Sequence, residues 1–253
     1  MKNILEIYRV KDWYYYLGFI LLGFSVKSNF LSIDIIRYII LGIFLLAYAF
    51  SLNDYYDKHE KKKFFIIPLI FTFLILPLFN FSQIIVSLIF VTIVTLYSAY
   101  PFRLKAKPFI CSFCNGFGFT LLFFLGYFYT STLNLKGILF ASLLFCFNMV
   151  AQFIHEVVDY KEDRKSKITT TAILCGIRKM KIICIFLLFL SIILSISICS
   201  LERVNSLFFI FTLIFSLFFM FRIYKRKFDK NLRKIYKACG IVLGCFYFFL
   251  MCL

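Results

Sequence analysis

Two short stretches concentrate the acidic side chains of an otherwise apolar chain. Asn53-Asp54-Tyr55-Tyr56-Asp57-Lys58-His59-Glu60-Lys61 and His155-Glu156-Val157-Val158-Asp159-Tyr160-Lys161-Glu162-Asp163-Arg164-Lys165 together hold seven of the twelve Asp and Glu residues. Glu156, Asp159 and Asp163 fall at i, i+3 and i+7, so a continuous helix puts them on one face. Asn53, Asp57 and Glu60 fall at i, i+4 and i+7, again one face, with Asp54 beside them. Such faces suit hard divalent cations, and Mg²⁺ in particular is held by one or two carboxylates plus the phosphates of its substrate. Carboxylates alone repel a diphosphate, so charge requires the metal. The plain alternative is a pair of solvated loops whose acids balance nearby lysines. The recurrence of the pattern at helical spacing in both stretches favours a metal–phosphate site.

A third stretch, Tyr97-Ser98-Ala99-Tyr100-Pro101-Phe102-Arg103-Leu104-Lys105-Ala106-Lys107-Pro108, offers cations for the same chemistry. Arg103 can grip phosphate oxygens bidentately, and Lys105 can act as a point charge.

The elements that position these residues are membrane helices. The chain is 62% hydrophobic, its mean hydropathy is +0.92, and apolar runs recur from end to end. Crossing a bilayer takes about 20 apolar residues, with a range near 17–25. Nine segments qualify: 12–27, 33–53, 64–80, 82–101, 109–131, 136–158, 180–200, 205–222 and 235–253. The pattern predicts an all-α polytopic protein of about nine transmembrane helices bundled around a central cavity, as a single domain over 1–253. The acidic stretches close the second and sixth of these helices, which hints at two similar halves with their acidic ends facing each other.

The net charge of +17 is a matter of topology. Of 29 Lys and Arg residues, 25 fall on one side of the expected membrane, leaving Lys27, Arg37, Lys136 and Arg203 on the other. This asymmetry is the positive-inside signal. It places the N-terminus and the acidic loops in the cytoplasm, with the chain in the plasma membrane, and argues against a nucleic-acid partner. Lys2, Arg9 and Lys11 precede an apolar run with no small-residue cleavage site after it, so no cleaved signal peptide is expected. Trp13 and Tyr14 to Tyr16 suit an interfacial aromatic belt. The cysteines, mostly inside apolar runs, behave as small hydrophobes, and Cys111-Ser112-Phe113-Cys114 lacks the further ligands a metal site needs. Asn115, Gly116 and Gly118 mark close helix packing more readily than a substrate surface.

Together the three polar stretches resemble those of the UbiA superfamily of intramembrane prenyltransferases. That family carries N-D-x-x-D-x-x-x-D after its second helix, YS-x-x-P-x-R-L-K after its fourth and D-x-x-D-x-x-x-D after its sixth. Here they read NDYYDKHEK, YSAYPFRLK and EVVDYKED, and Arg164 through Gly176 is similar to the stretch that follows. The resemblance implies Mg²⁺ as cofactor, held with the diphosphate by Asn53, Asp54, Asp57, Glu60, Glu156, Asp159 and Asp163, of which Asp57, Asp159 and Asp163 carry the catalysis. It implies Arg103 and Lys105 as phosphate contacts. Glu156 stands where the family's first Asp would be, and Lys61 where the first motif ends in Asp. Glu60, one residue earlier, is read as the substitute, and Lys61 alternatively as a phosphate-binding cation.

The implied reaction moves a prenyl group from a prenyl diphosphate to an aromatic or other lipophilic acceptor. The 37 phenylalanines offer walls for an isoprenoid tail and for cation–π stabilisation. Competing readings are a terpene cyclase or a non-catalytic diphosphate-binding member of the same superfamily. A transporter is more distant, because its acids would sit near the bilayer midplane. A CDP-alcohol phosphatidyltransferase would need a D-G-x-x-A-R signature that the sequence lacks.

Overall fold

A computed structural model of the chain describes residues 3–26, 33–129, 132–165, 169–202, 206–225 and 228–252. Lys2, Lys27, Arg203 and residues 166–168 of the stretch after the second motif lie outside the described residues. Among the described residues the regular structure is all helical, as expected where lipid leaves backbone groups no partner outside their own segment. The chain falls into two compact units, Met1–Leu104 with Leu121–Thr132, and Lys105–Thr120 with Leu133–Leu253.

The first unit opens with α1 (Ile4–Ile7), α2 (Val10–Trp13) and α3 (Leu17–Ser25), the last two joined by a 3-10 turn at Tyr14–Tyr16. It continues through α4 (Ile35–Lys58), α5 (Lys63–Ile75) and α6 (Phe81–Ser98), and takes in the C-terminal part of α7 (Ile110–Tyr127). Its core is apolar side chains of α3, α4 and α7, among them Ile20, Phe24, Leu41, Leu45, Leu46 and Leu122. Gly23 of α3 and Gly126 of α7 meet so closely that a Cβ on Gly23 would lie 2.0 Å from the Phe123 carbonyl oxygen, and one on Gly126 would lie 2.0 Å from that of Ile20. Small residues allow such contact between helices that have little hydrophobic drive to associate in lipid. Polar ties hold α6 in place. Asn80 and Gln83 form a capping box at its start, and Gln83 Nε2 donates to the Tyr38 hydroxyl at 2.6 Å and the Leu125 carbonyl at 3.3 Å.

The second unit contains the start of α7, then α8 (Leu135–Lys165), α9 (Thr171–Cys175), α10 (Ile177–Glu202), α11 (Ser206–Lys225) and α12 (Lys230–Cys252). Phe140, Val150 and Ile154 of α8 are buried, as are Met180, Cys184 and Leu188 of α10 and Phe208, Phe219 and Ile223 of α11. Buried hydroxyls pair between helices, Ser191 with Ser216 at 2.9 Å and Thr212 with the Tyr247 hydroxyl at 2.5 Å. Gly116 proves to be a packing residue, since a Cβ there would lie 2.8 Å from the Met149 sulfur. Cys146 and Cys184 are likewise buried, as small hydrophobes.

Seven of the described helices are long and apolar enough to cross a membrane: α4, α6, α7, α8, α10, α11 and α12. The first and third expected spans take shorter forms. The first is broken at Tyr14–Tyr16. The third is α5 with a 3-10 turn to Leu78, where Pro77 lacks the N–H that a continuing helix needs. The surface of α10 shows what the long helices face. Ile182, Phe186, Phe189, Ile193 and Ile196 form one stripe, each about half exposed or more, which in water would be a liability and in lipid is the ordinary condition. Trp13 corrects the expected aromatic belt. It is buried, and its indole N–H donates to the Tyr8 carbonyl at 2.6 Å.

Candidate active site

Asn53, Asp54 and Asp57 lie in the last turns of α4, which ends at Lys58 because His59 adopts a left-handed backbone (φ 54°). Glu60 is therefore outside the helix, and the expectation that it shares a face with Asn53 and Asp57 does not hold. It lines a polar pocket of about 370 Å³ with Glu6, Arg9, Asp12, Asp54 and Lys58. Lys61 is exposed, and its carbonyl accepts the Phe64 N–H at the entry to α5.

Asp54 is buried at 6% exposure. Its Oδ1 lies 3.1 Å from Arg9 Nη1 and 3.1 Å from Lys58 Nζ. A carboxylate removed from water needs partners of this kind. Arg9 in turn donates to Asp12 at 2.8 Å, so Asp54 fastens the N-terminal segment to α4. Asp57, three residues on, is more exposed, and its Oδ1 accepts from Arg103 Nη2 at 3.3 Å.

Arg103 follows α6 in a turn with a left-handed backbone (φ 36°), a conformation uncommon for residues other than glycine. Its guanidinium lies over the Tyr100 ring at 4.9 Å and donates to the Tyr100 hydroxyl. Arg103 Nε and, at the end of α6, Ser98 Oγ are buried and have no hydrogen-bond partner. Buried donors are seldom left so, and each such case points to a group that completes it. Lys105 is half-buried in a short 3-10 turn at Leu104–Ala106.

In the second unit α8 continues to Lys165, so Glu156, Asp159 and Asp163 share a helix as their spacing requires. They differ in surroundings. Glu156 is buried, and both its oxygens are bonded to protein donors. Oε1 accepts from the Ser112 hydroxyl at 2.5 Å and from Gln152 Nε2 at 3.2 Å, and Oε2 accepts the Ala172 N–H at 3.1 Å. Ser112 also meets the Thr171 hydroxyl at 2.9 Å, which accepts the Phe109 N–H at 2.9 Å. Glu156 thus ties α8 to the starts of α7 and α9. A side chain one methylene longer than Asp suits that reach, and the arrangement fastens three segments together.

Asp159 is partly exposed. Its Oδ2 stands 2.7 Å from His155 Nδ1, and both its oxygens accept from Arg233 Nη1 of α12, at 3.3 and 3.2 Å. Asp163 lies beyond the apolar stretch of α8. Burial pushes its carboxyl above the usual carboxylate range, and the charges of Asp159, Glu156 and Glu162 push the same way, against His155. Among the described residues no three His, Cys, Asp or Glu side chains converge into a ready-made metal cage. Arg9 beside Asp54 in the first unit, and Ser112 and Arg233 beside Glu156 and Asp159 in the second, are not among the residues the motifs nominate. Only the cationic run from Lys230 to Lys237 hinted at the last of them.

The described residues form a polytopic helical membrane architecture with carboxylates and arginines at its helix ends. The UbiA prenyltransferase family model matches residues 60–253, and the chain belongs to that family. The match takes in the second acidic stretch and the Tyr97–Pro108 segment, while Asn53, Asp54 and Asp57 precede it. No curated protein matches the chain. Among solved structures, a UbiA homologue from Archaeoglobus fulgidus bound to Cd²⁺ is 19% identical with a TM-score of 0.81, each chain fully covered. The same homologue bound to GPP and Mg²⁺ is 17% identical with a TM-score of 0.79, again with full coverage. A structure described as giving insight into digeranylgeranylglyceryl phosphate synthase in membranes is 19% identical with a TM-score of 0.80, covering 98% of this chain and 97% of that one. At such identities the likeness establishes a shared fold. With the family and the seven apolar helices, the protein is an integral membrane protein.

Proposed function

We propose that the protein is a Mg²⁺-dependent prenyltransferase that moves a prenyl group from a prenyl diphosphate to an aromatic or other lipophilic acceptor. The observation that carries this reading is the Asp57–Arg103 pair, in which Arg103 Nε is a buried donor lacking an acceptor, as is Ser98 Oγ at the end of α6. Phosphate oxygens are acceptors of the right kind, and guanidinium binds them bidentately. Asp57 and Asn53 on α4, and Asp159 and Asp163 on α8, are the proposed metal-binding residues. Hard carboxylate oxygens without a closed cage fit Mg²⁺, which completes its shell with phosphates and water. Asp54 and Glu156, committed to protein partners, are left as supports for that set, and Glu60 is left out.

Arg103 and Lys105 bind and orient the diphosphate and offset the charge that grows on it as the allylic C1–O bond breaks. Bound Mg²⁺ supplies further stabilisation of that leaving group. Aromatic side chains around the prenyl tail exclude water from the electrophilic carbon, so that the acceptor captures it. The membrane is read as the plasma membrane, and the positive-inside asymmetry supports an orientation with the acidic loops facing the cytoplasm.

The deciding experiment incubates purified protein with prenyl diphosphates of several lengths and a panel of acceptors, with products read by mass spectrometry. Prenylated product that disappears in excess chelator is the expected result. Formation undiminished by chelator removes the metal, and cyclised hydrocarbon without acceptor product turns the reading to a terpene cyclase. Cysteines introduced near Lys62 and Lys165 should label from the cytoplasm, and labelling of both from outside only reverses the topology.

A further inference from the structure

Arg233 of α12 reaches the acidic face of α8, with its Nη1 3.2–3.3 Å from both Asp159 oxygens and 3.2 Å from His155 Nδ1. The contact has a register. Three residues before it on α12, Lys230 Nζ lies 4.0 Å from Glu162 Oε1, which is three residues after Asp159 on α8. The two pairs therefore run antiparallel, and Tyr236 adds a bond from its hydroxyl to the Phe147 carbonyl at 3.1 Å. The first turns of α12 carry Lys230, Arg233, Lys234 and Lys237 at i, i+3, i+4 and i+7, which share one face.

The Arg233 side chain is 37% exposed and that of Asp159 22%. An ion pair so open to solvent is weak and exchangeable. It neutralises a carboxylate that, under the function proposed above, must be given up to a divalent cation. We propose that Arg233 is a diphosphate-binding residue that holds Asp159 in the metal-free protein and passes to the phosphate oxygens once Asp159 binds metal. The exchange follows from charge. A divalent cation at Asp159 repels the guanidinium, and the incoming diphosphate offers it the bidentate oxygens it has lost. His155 stays beside Asp159, its Nδ1 2.7 Å from the carboxylate. The inference rests on the prenyltransferase reading, and its test separates the two.

Full-length wild type, Arg233→Gln and Arg233→Lys are compared in detergent, with Mn²⁺ alone followed by electron paramagnetic resonance and geranyl diphosphate binding followed by calorimetry in saturating Mg²⁺. Freed of its competitor, Arg233→Gln binds Mn²⁺ several-fold more tightly than wild type. It binds geranyl diphosphate about tenfold more weakly, the usual cost of one lost charge-assisted hydrogen bond. Arg233→Lys keeps the wild-type Mn²⁺ affinity and recovers only part of the diphosphate affinity. If Arg233→Gln fails to melt cooperatively, the Lys variant carries the test by that pattern alone. Constants within twofold of wild type, or a common weakening of both, make Arg233 a helix tie and overturn the inference while leaving the enzyme reading intact. Wild type that binds Mn²⁺ but no geranyl diphosphate overturns both.

Discussion

At the end of α4 the helix stops one residue after Asp57, whereas α8 runs two residues past Asp163. Each end carries a buried acid followed three residues later by a more exposed one that meets an arginine: Asp54 and Asp57 on α4, Glu156 and Asp159 on α8. The buried member fastens and the exposed member faces a cation. The fastenings differ in kind. Asp54 is held by the charges of Arg9 and Lys58, Glu156 by neutral donors from three segments. Two acids three apart on one helix are thus not equivalent ligands. One sets the position from which the other works, and only α8 extends far enough to add a third acid to the face.

The sharpest way to break this comparison is to remove the charge from an exposed member. Asp159→Asn keeps the size of the side chain and should lower kcat/KM by roughly a hundredfold or more, since charge stabilisation by a metal site is worth several kcal/mol and each 1.36 kcal/mol is tenfold. Turnover at the wild-type rate would make the end of α8 a solvated charge run. Asp57→Asn should act in the same direction.

Next in size is the arginine. Arg103→Gln should weaken prenyl diphosphate binding about tenfold, as expected for a lost hydrogen bond to a charged group, with less effect on Mn²⁺ binding measured alone. Equal loss of both would mean that Arg103 serves only to hold Asp57.

A buried member should behave differently. Glu156→Gln turns an amide NH₂ toward one of the donors that the carboxylate now accepts from, at a cost of about 1–3 kcal/mol of stability. The melting temperature should fall while Mn²⁺ affinity stays within about twofold, a difference too small to carry a ligand's share of binding. Lower Mn²⁺ affinity with unchanged melting would return Glu156 to the metal set.

How much of this was legible beforehand depends on what each feature is made of. The long apolar runs specify helices by length and composition alone, and α4, α6, α8, α10 and α11 follow them closely. The i, i+3, i+7 spacing of Glu156, Asp159 and Asp163 held because nothing interrupts α8 there. The spacing of Asn53, Asp57 and Glu60 failed at His59, whose left-handed backbone no periodicity announces. Burial was invisible in both stretches, because Asp54 and Glu156 are buried by segments distant in sequence: Arg9 comes from the N-terminus, and Ser112 and Ala172 from either side of α8. Arg233 went unread for the same reason, being a lysine-rich helix start until the fold sets it against Asp159. Trp13 misled because its position before an apolar run resembles an interface anchor, while its N–H found a carbonyl five residues back.

The smallest expected effect lies just past the end of α4. Lys61 stands where an Asp closes the resembled motif, and helical phase alone would nominate Glu60 as the replacement. That nomination requires the helix to continue, and it ends at Lys58. Glu60 instead borders the pocket of Glu6, Arg9, Asp12, Asp54 and Lys58, where its charge acts on the fastening of the N-terminal segment rather than on the face of Asp57. Lys61 is exposed beyond it, in a position where a charge acts through water and is screened within about 8 Å at physiological salt. Glu60→Gln should therefore change the Mg²⁺ dependence of prenyl diphosphate binding by less than about threefold, the scale of exposed charge interactions. Lys61→Asp should weaken the diphosphate by a similarly small factor, through repulsion, and the effect should shrink as salt is raised. Calorimetric titration of both variants at low and high salt checks the pair. A tenfold loss in Glu60→Gln that persists at high salt would mean that the loop folds back to make Glu60 a ligand. The same loss in Lys61→Asp would make Lys61 a direct phosphate contact, and the end of α4 would then match α8 in reach after all.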